Sequence, residues 1–228
     1  MFSTATTKVR TCLVFAKIAY THETHMKDPN QGMKVGTPYQ KCPVIDVAGR
    51  QVNDSAIIFK NLLPAIGLPF NEEWEKKITL GLDTSVKIQG QSEDWSKLFT
   101  ATILNKGDAP FPSCLAFILV PNVVGPKMVK VESDQGKHNI AHSGCGHYEK
   151  PVGEFAKEFA AARAGVFFGG DKPAHPDISL YGYLAGFLYA GAPIANTFIK
   201  AGGLEEWLEA MQKLVPLDSC FVKGGWKP

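Results

Sequence analysis

The residue types best suited to chemistry cluster in one stretch, KCPVIDVAGRQVNDSAII, from Lys41 to Ile58. Two short apolar runs, PVIDV and RQVND, meet at Ala48-Gly49, a hairpin signal. Asp54-Ser55 then opens a helical run. A helix start carries backbone N–H groups without partners and the positive end of the helix dipole. Such a turn presents backbone groups and a helix start to something small and charged. The same residues also have a plainer use: Asp54 or Ser55 would cap the helix in any case, worth about 1 kcal/mol.

A second constellation is KHNIAHSGCGHYEK, with His138, His142, Cys145 and His147. Four such side chains could hold zinc, but the spacing matches no standard zinc module and the glycines favour a surface loop. No metal is expected. HETH at His22–His25 is not HExxH, and FGGDKP follows a helix, the wrong context for a dinucleotide turn. No GxSxG elbow supports a Ser-His-Asp triad.

These groups sit on a chain of 228 residues, long enough for one large domain or two small ones. Hydrophobic content of 45% and charged content of 20% are ordinary for a globular protein. A formal charge of +2 with no Lys/Arg-rich run argues against nucleic acid as a partner. Five scattered cysteines without CxxC argue against a secreted disulfide framework. The N-terminal MFSTATTKVRTCLVFAKIAY lacks acidic residues, faintly like an organelle presequence, yet a first helix of a folded domain explains it better. Ile178 to Ile199 carries no charge; its polar residues and the break at Gly191–Pro193 point to two buried helices.

The spacing predicts a helix over Lys8–Tyr20, a short strand at YTHETHM, the hairpin, and a helix over Ser55–Leu63 stopped by Pro64. From Asn71 onward only helices are expected. NEEWEKK opens with an Asn cap and three Glu that suit the helix dipole. The chain therefore divides into residues 1–68, a small α/β unit, and residues 69–228, an all-helical one.

That division resembles the glutathione transferase superfamily, a thioredoxin-like half followed by a helical half. Three places carry the resemblance: Cys42-Pro43-Val44, where such folds place a cis proline before a strand; Asn53-Asp54-Ser55-Ala56-Ile57-Ile58, similar to an acidic-Ser-x-Ile signature; and FFGGDKPAHPDISLYGYL, Phe167–Leu184. Within the superfamily the chain looks most like the type-2 membrane-associated prostaglandin E synthases, through KVR at Lys8–Arg10, the Tyr20 strand, YQKCPVI, VNDSAII and GGDKP. The likeness is good over residues 8–63 and 153–190 and weak between them.

The resemblance implies a glutathione site. The residue before a cis proline, Cys42, would exchange backbone hydrogen bonds with the extended peptide. Ser55 at the helix start would receive a carboxylate, and Asp54 would pair with the ammonium. Cys42, Pro43, Asp54 and Ser55 are thus the implied γ-glutamyl and cysteinyl subsite.

The reactive group that should stand beside it is gone. Aligning KVR places the synthases' Cys-x-x-Cys on Ser3-Thr4-Ala5-Thr6, so Ser3 and Thr6 replace the two cysteines. A helix dipole worth about 1 kcal/mol cannot ionise a hydroxyl usefully, which rules out thiol exchange there. Thr6 or Thr7 could still donate a hydrogen bond to a bound thiolate. Only Met1 and Phe2 stand where the family has its first strand, so the sequence is either incomplete at the N-terminus or the sheet lacks that strand and exposes an edge. Cys12 belongs to the apolar face of its helix and packs in the core. Ala174 stands where a cap three residues before Asp177 should be, and Pro176 partly compensates.

The expected function is a non-catalytic accessory or interaction subunit of a larger complex, with membrane contact only through partners. The apolar Cys114–Val124 run and the tail FVKGGWKP would suit neighbours. The resemblance implies a mitochondrial setting, with the cytoplasm as the alternative. The alternative function is a glutathione-dependent transferase or isomerase that uses a hydroxyl in place of the thiol.

Overall fold

The computed structural model describes residues 3–22, 42–106, 120–143, 150–222 and 225–228. Helix α1 spans Thr4–Phe15. It starts earlier than Lys8 because the Ser3 side chain accepts the Thr6 N–H at 3.3 Å. It ends well before Tyr20, since Lys17 takes φ 55°, outside the helical region. Tyr20–Thr21 then forms β1, and the rest of YTHETHM beyond His22 lies outside the described residues.

Strands β2 (Val44–Val47) and β3 (Arg50–Asn53) pair antiparallel, Val44 with Asn53 and Val47 with Arg50. Ala48 (φ 51°) and Gly49 (φ 81°) turn the corner, two positive φ values as a tight hairpin requires. The Gly49 N–H donates to Asp46 Oδ1 at 2.8 Å. β1 does not join this ladder. It pairs antiparallel with β4 (Gly225–Trp226), Tyr20 with Trp226 and Thr21 with Gly225. Gly225 fits because a Cβ there would stand 2.1 Å from the Tyr20 carbonyl oxygen. Two expectations change accordingly. The helical half is not free of strands, and Gly225–Trp226 of the tail is held by the chain itself. Among the described residues the strands form two separate two-stranded ladders.

Helix α2 spans Ser55–Ala65 and passes through Pro64. A proline in the last turn removes one hydrogen bond, and fully buried Leu63 anchors that turn. Gly67 at φ 77° then leads the chain out. Asn71 caps α3 (Glu72–Lys76) by accepting the Trp74 N–H at 3.1 Å. A π-helical segment, Lys77–Leu82, joins α3 to α4 (Asp83–Gln89). Next come α5 (Ser92–Lys106), a π turn at Val120–Val124, and α6 (Gly125–Ser143). Helices α7 (Val152–Ala162), α8 (His175–Ala190), α9 (Pro193–Gly202) and α10 (Glu205–Leu214) complete the bundle, followed by a 3₁₀ turn at Leu217–Phe221.

The charge-free stretch splits as expected: α8 ends at Gly191 (φ 65°) and Pro193 starts α9. Every residue of α8 from His175 to Phe187 is buried. Among the described residues, no helix is long and apolar enough to cross a membrane. Cys114–Leu119 lies outside the described residues.

Two hydrophobic clusters result. The larger surrounds α8 with Trp74, Phe155, Phe159, Phe198 and Trp207. The smaller joins Val9 and Cys12 of α1 to Ile58, Phe59 and Leu63 of α2 and Ile178 of α8. Helix α1 serves both, since Val14 belongs to the larger. Cys12 is a core residue with no exposure, and burial pushes its thiol up to about 12. The architecture is a small α/β element packed on a helical bundle.

Candidate functional site

The hairpin and the α2 start bring four of the sequence-derived residues together. The Cys42–Pro43 peptide bond is cis. Register does the rest: pairing of Val44 with Asn53 sets Pro43 beside Asp54, and the Asp54 N–H donates to the Pro43 carbonyl at 3.3 Å. Asp54 takes φ 73°, unusual for a residue with a Cβ, at a cost on the order of 1–3 kcal/mol. Its carboxylate accepts the Ala56 N–H at 2.9 Å and so caps α2. Ser55, the first helical residue, is buried. Cys42 is exposed, and its backbone N–H and C=O make no hydrogen bond to a described residue.

The other two candidates lie at the start of α1. Ser3 Oγ is engaged as the cap, and the Ser3 carbonyl accepts the Thr7 hydroxyl at 3.0 Å. Thr6 Oγ1 is buried with no hydrogen-bond partner among the described residues. No hydrogen bond or ion pair among the described residues joins Ser3 or Thr6 to the Cys42–Ser55 group.

Two of the four metal candidates lie among the described residues. His138 and His142 lie within α6, which continues to Ser143 where the sequence suggests a loop. Cys145 and His147 are outside the described residues. Among the described residues, no three metal-capable side chains converge.

Sequence reasoning missed the most polar buried group. Glu75 of α3 is buried, and both carboxylate oxygens are engaged. Oε1 meets the Lys8 ammonium of α1 at 2.5 Å. Oε2 accepts the Ser179 hydroxyl at 2.7 Å and faces His175 Nε2 at 3.0 Å, both from α8. The Asn71 N–H donates to His175 Nδ1 at 2.9 Å, so Nδ1 is an acceptor and Nε2 carries the proton given to Glu75. Burial works to raise the Glu75 pKa. The Lys8 charge and the hydrogen bonds from His175, Lys8 and Ser179 outweigh it and hold the carboxyl below its usual range. Lys8 Nζ also lies 5.3 Å from the Phe59 ring centre on α2, and Phe59 meets the His175 ring edge-on at 5.4 Å. A usable signal existed. Lys8 shares a helical face with Cys12 and Phe15, and Glu75 shares one with Ile78 and Leu82.

Asp177 solves the missing cap at α8 differently. Its carboxylate accepts the Ala174 N–H at 2.8 Å, the Phe168 N–H at 2.9 and 3.0 Å, and the Trp207 indole N–H at 2.9 Å. Burial pushes its carboxyl pKa up despite these donors. Ala174 has no side-chain acceptor, so the helix start relies on Asp177 alone, with Pro176 in its first turn.

Comparison with models of known protein families finds no match for this chain, and a search among curated proteins finds none either.

Proposed function

We propose that this chain is a glutathione-transferase-like protein that has kept a peptide cradle and lost thiol chemistry, and that it works as a non-catalytic accessory subunit of a larger, mitochondrial complex. A thioredoxin-like origin for residues 1–68 is part of that reading. The cis Cys42–Pro43 bond, the hairpin and the Asp54–Ser55 helix start support it. One observation carries the loss of chemistry. The residue at the head of α1 is Ser3, whose hydroxyl caps the helix. No thiol stands at Ser3-Thr4-Ala5-Thr6. A thiolate at such a position would be the nucleophile; a hydroxyl there is not.

A second reading rests on Thr6. Its buried hydroxyl has no partner among the described residues and could donate to a bound thiolate, as an enzyme of the transferase or isomerase class would need.

Titration of glutathione against the wild type, Asp54→Gly and Ser55→Ala, with a conjugation assay on an electrophile, tests both. Glycine suits the positive φ at position 54 and costs a cap only a few tenths of a kcal/mol, so the fold survives that change. Saturable binding weakened about tenfold or more by Asp54→Gly, without turnover, supports the cradle. Turnover abolished by Thr6→Val supports the enzyme. Absence of glutathione binding to the wild type overturns the cradle. An intact, isolated monomer in mitochondrial extracts overturns the subunit.

A further inference from the structure

Glu75 of α3 joins α1 and α8 through one carboxylate, and Phe59 of α2, the helix that opens at the candidate site, touches a partner of each carboxylate oxygen. Lys8 is on α1, five residues past the Ser3 cap. Phe59 is on α2, one turn past Ser55, and meets both Lys8 Nζ and the His175 ring. Asp54 is close enough for its charge to act on Lys8. The other link of the carboxylate, through His175 and Ser179, is to α8, the central helix of the bundle.

We propose that Glu75 is a positioning residue. It sets α1 and α2, and with them the cradle at Cys42, Pro43, Asp54 and Ser55, against the helical half. The ligand class served is a γ-glutamyl peptide, so this inference rests on the reading above. A buried ion pair is a weak source of net stability, because desolvation of both charges offsets their attraction. What it supplies is direction. Oε1 is fixed on Lys8 and Oε2 on two donors from α8. Apolar side chains of the same volume would fill the space and leave α1 free to slide or rotate on α8. Gly182 permits such close contact, with the Lys8 backbone directly over it. Phe70 stacks on His175 at 4.8 Å, so the linker between the halves is tied to the same group.

The test replaces both charges together, Lys8→Met with Glu75→Leu, in the full chain. Hydrogen exchange at residues 55–58 and glutathione affinity are the readouts, with thermal unfolding as the control. Positioning predicts a smaller fall in the unfolding midpoint than Glu75→Leu alone gives, because Lys8→Met removes the stranded charge while the His175 and Ser179 donors lose their acceptor in both variants. It also predicts exchange at 55–58 faster by at least about tenfold, an ordinary size for a coupling between sites. Exchange in α7 and α9 stays at the wild-type rate, and affinity falls by a similar factor. Wild-type exchange at 55–58 in the double variant overturns the proposal. If the double variant does not fold, Ser179→Ala decides, since it removes one donor and keeps the ion pair: faster exchange at 55–58 supports positioning and no change overturns it. If the wild type binds no glutathione, the cradle reading fails, and the exchange measurement still decides the role of Glu75.

Discussion

Gly182 of α8 lies directly against Lys8 of α1: a Cβ on Gly182 would stand 2.6 Å from the Lys8 Cα and 3.1 Å from the Thr11 side chain. Backbone rather than a flexible side-chain end would have to give way. The two helices cross where one of them has no side chain, and that crossing brings the Lys8 ammonium within reach of Glu75.

Gly182→Ala should therefore destabilise the protein by about 1–3 kcal/mol, the usual cost of forcing a methyl into a packed core, despite alanine's better helix propensity. Urea unfolding reads this as a lower midpoint at unchanged slope. A midpoint equal to the wild type's would mean that α1 and α8 are not in contact at this point.

Glu75→Gln should cost about 3–5 kcal/mol near neutral pH, because it leaves the buried Lys8 charge unpaired. The pH dependence has a definite sign. The folded-state pKa of Glu75 lies below the usual 4.5, so its stabilising contribution is complete above that value. It is lost as pH falls through the folded value. The stability gap between wild type and Glu75→Gln should shrink as pH is lowered below 4.5. A gap that widens on acidification would contradict the assignment.

Asp177→Ala should be among the most damaging single changes. It strands the N–H groups of Phe168 and Ala174 and the indole of Trp207, at more than about 3 kcal/mol in total. Asp177→Asn keeps one acceptor oxygen and should lose less. Trp207 fluorescence during unfolding follows both variants. Equal stability for Ala and Asn would show that these hydrogen bonds do not set the cost.

Thiol labelling should separate the cysteines by burial. Burial pushes Cys12 up to about 12 and Cys220 up to about 11, and both side chains are inaccessible. Cys42 is exposed. Brief alkylation of the native protein near pH 8, read by peptide mass spectrometry, should modify Cys42 and spare Cys12 and Cys220 until the protein unfolds. Labelling of Cys12 under native conditions would contradict the packing of α1.

Local chemistry is legible in the chain because it acts over a few residues. Ala48-Gly49 turns the hairpin, Asn71 caps α3, and Gly191-Pro193 splits the charge-free stretch, each through backbone preferences that neighbours hardly alter. The Asp54-Ser55 helix start is legible in the same way. For Lys8 and Glu75 helical spacing shows only that each shares an apolar face; their residue types favour the surface, and only a partner 67 positions away makes burial tolerable. The pairing of Tyr20 with Trp226 was also hidden, for two-residue strands have no periodicity to read. The sequence by itself determined where the hairpin turns, where α2 and α3 start and where α8 gives way to α9, because capping, φ preference and side-chain spacing are short-range. Only the tertiary structure decided which charges are buried, which strand ends meet and how α1 is set on α8, because those depend on groups that come together only when the chain closes on itself.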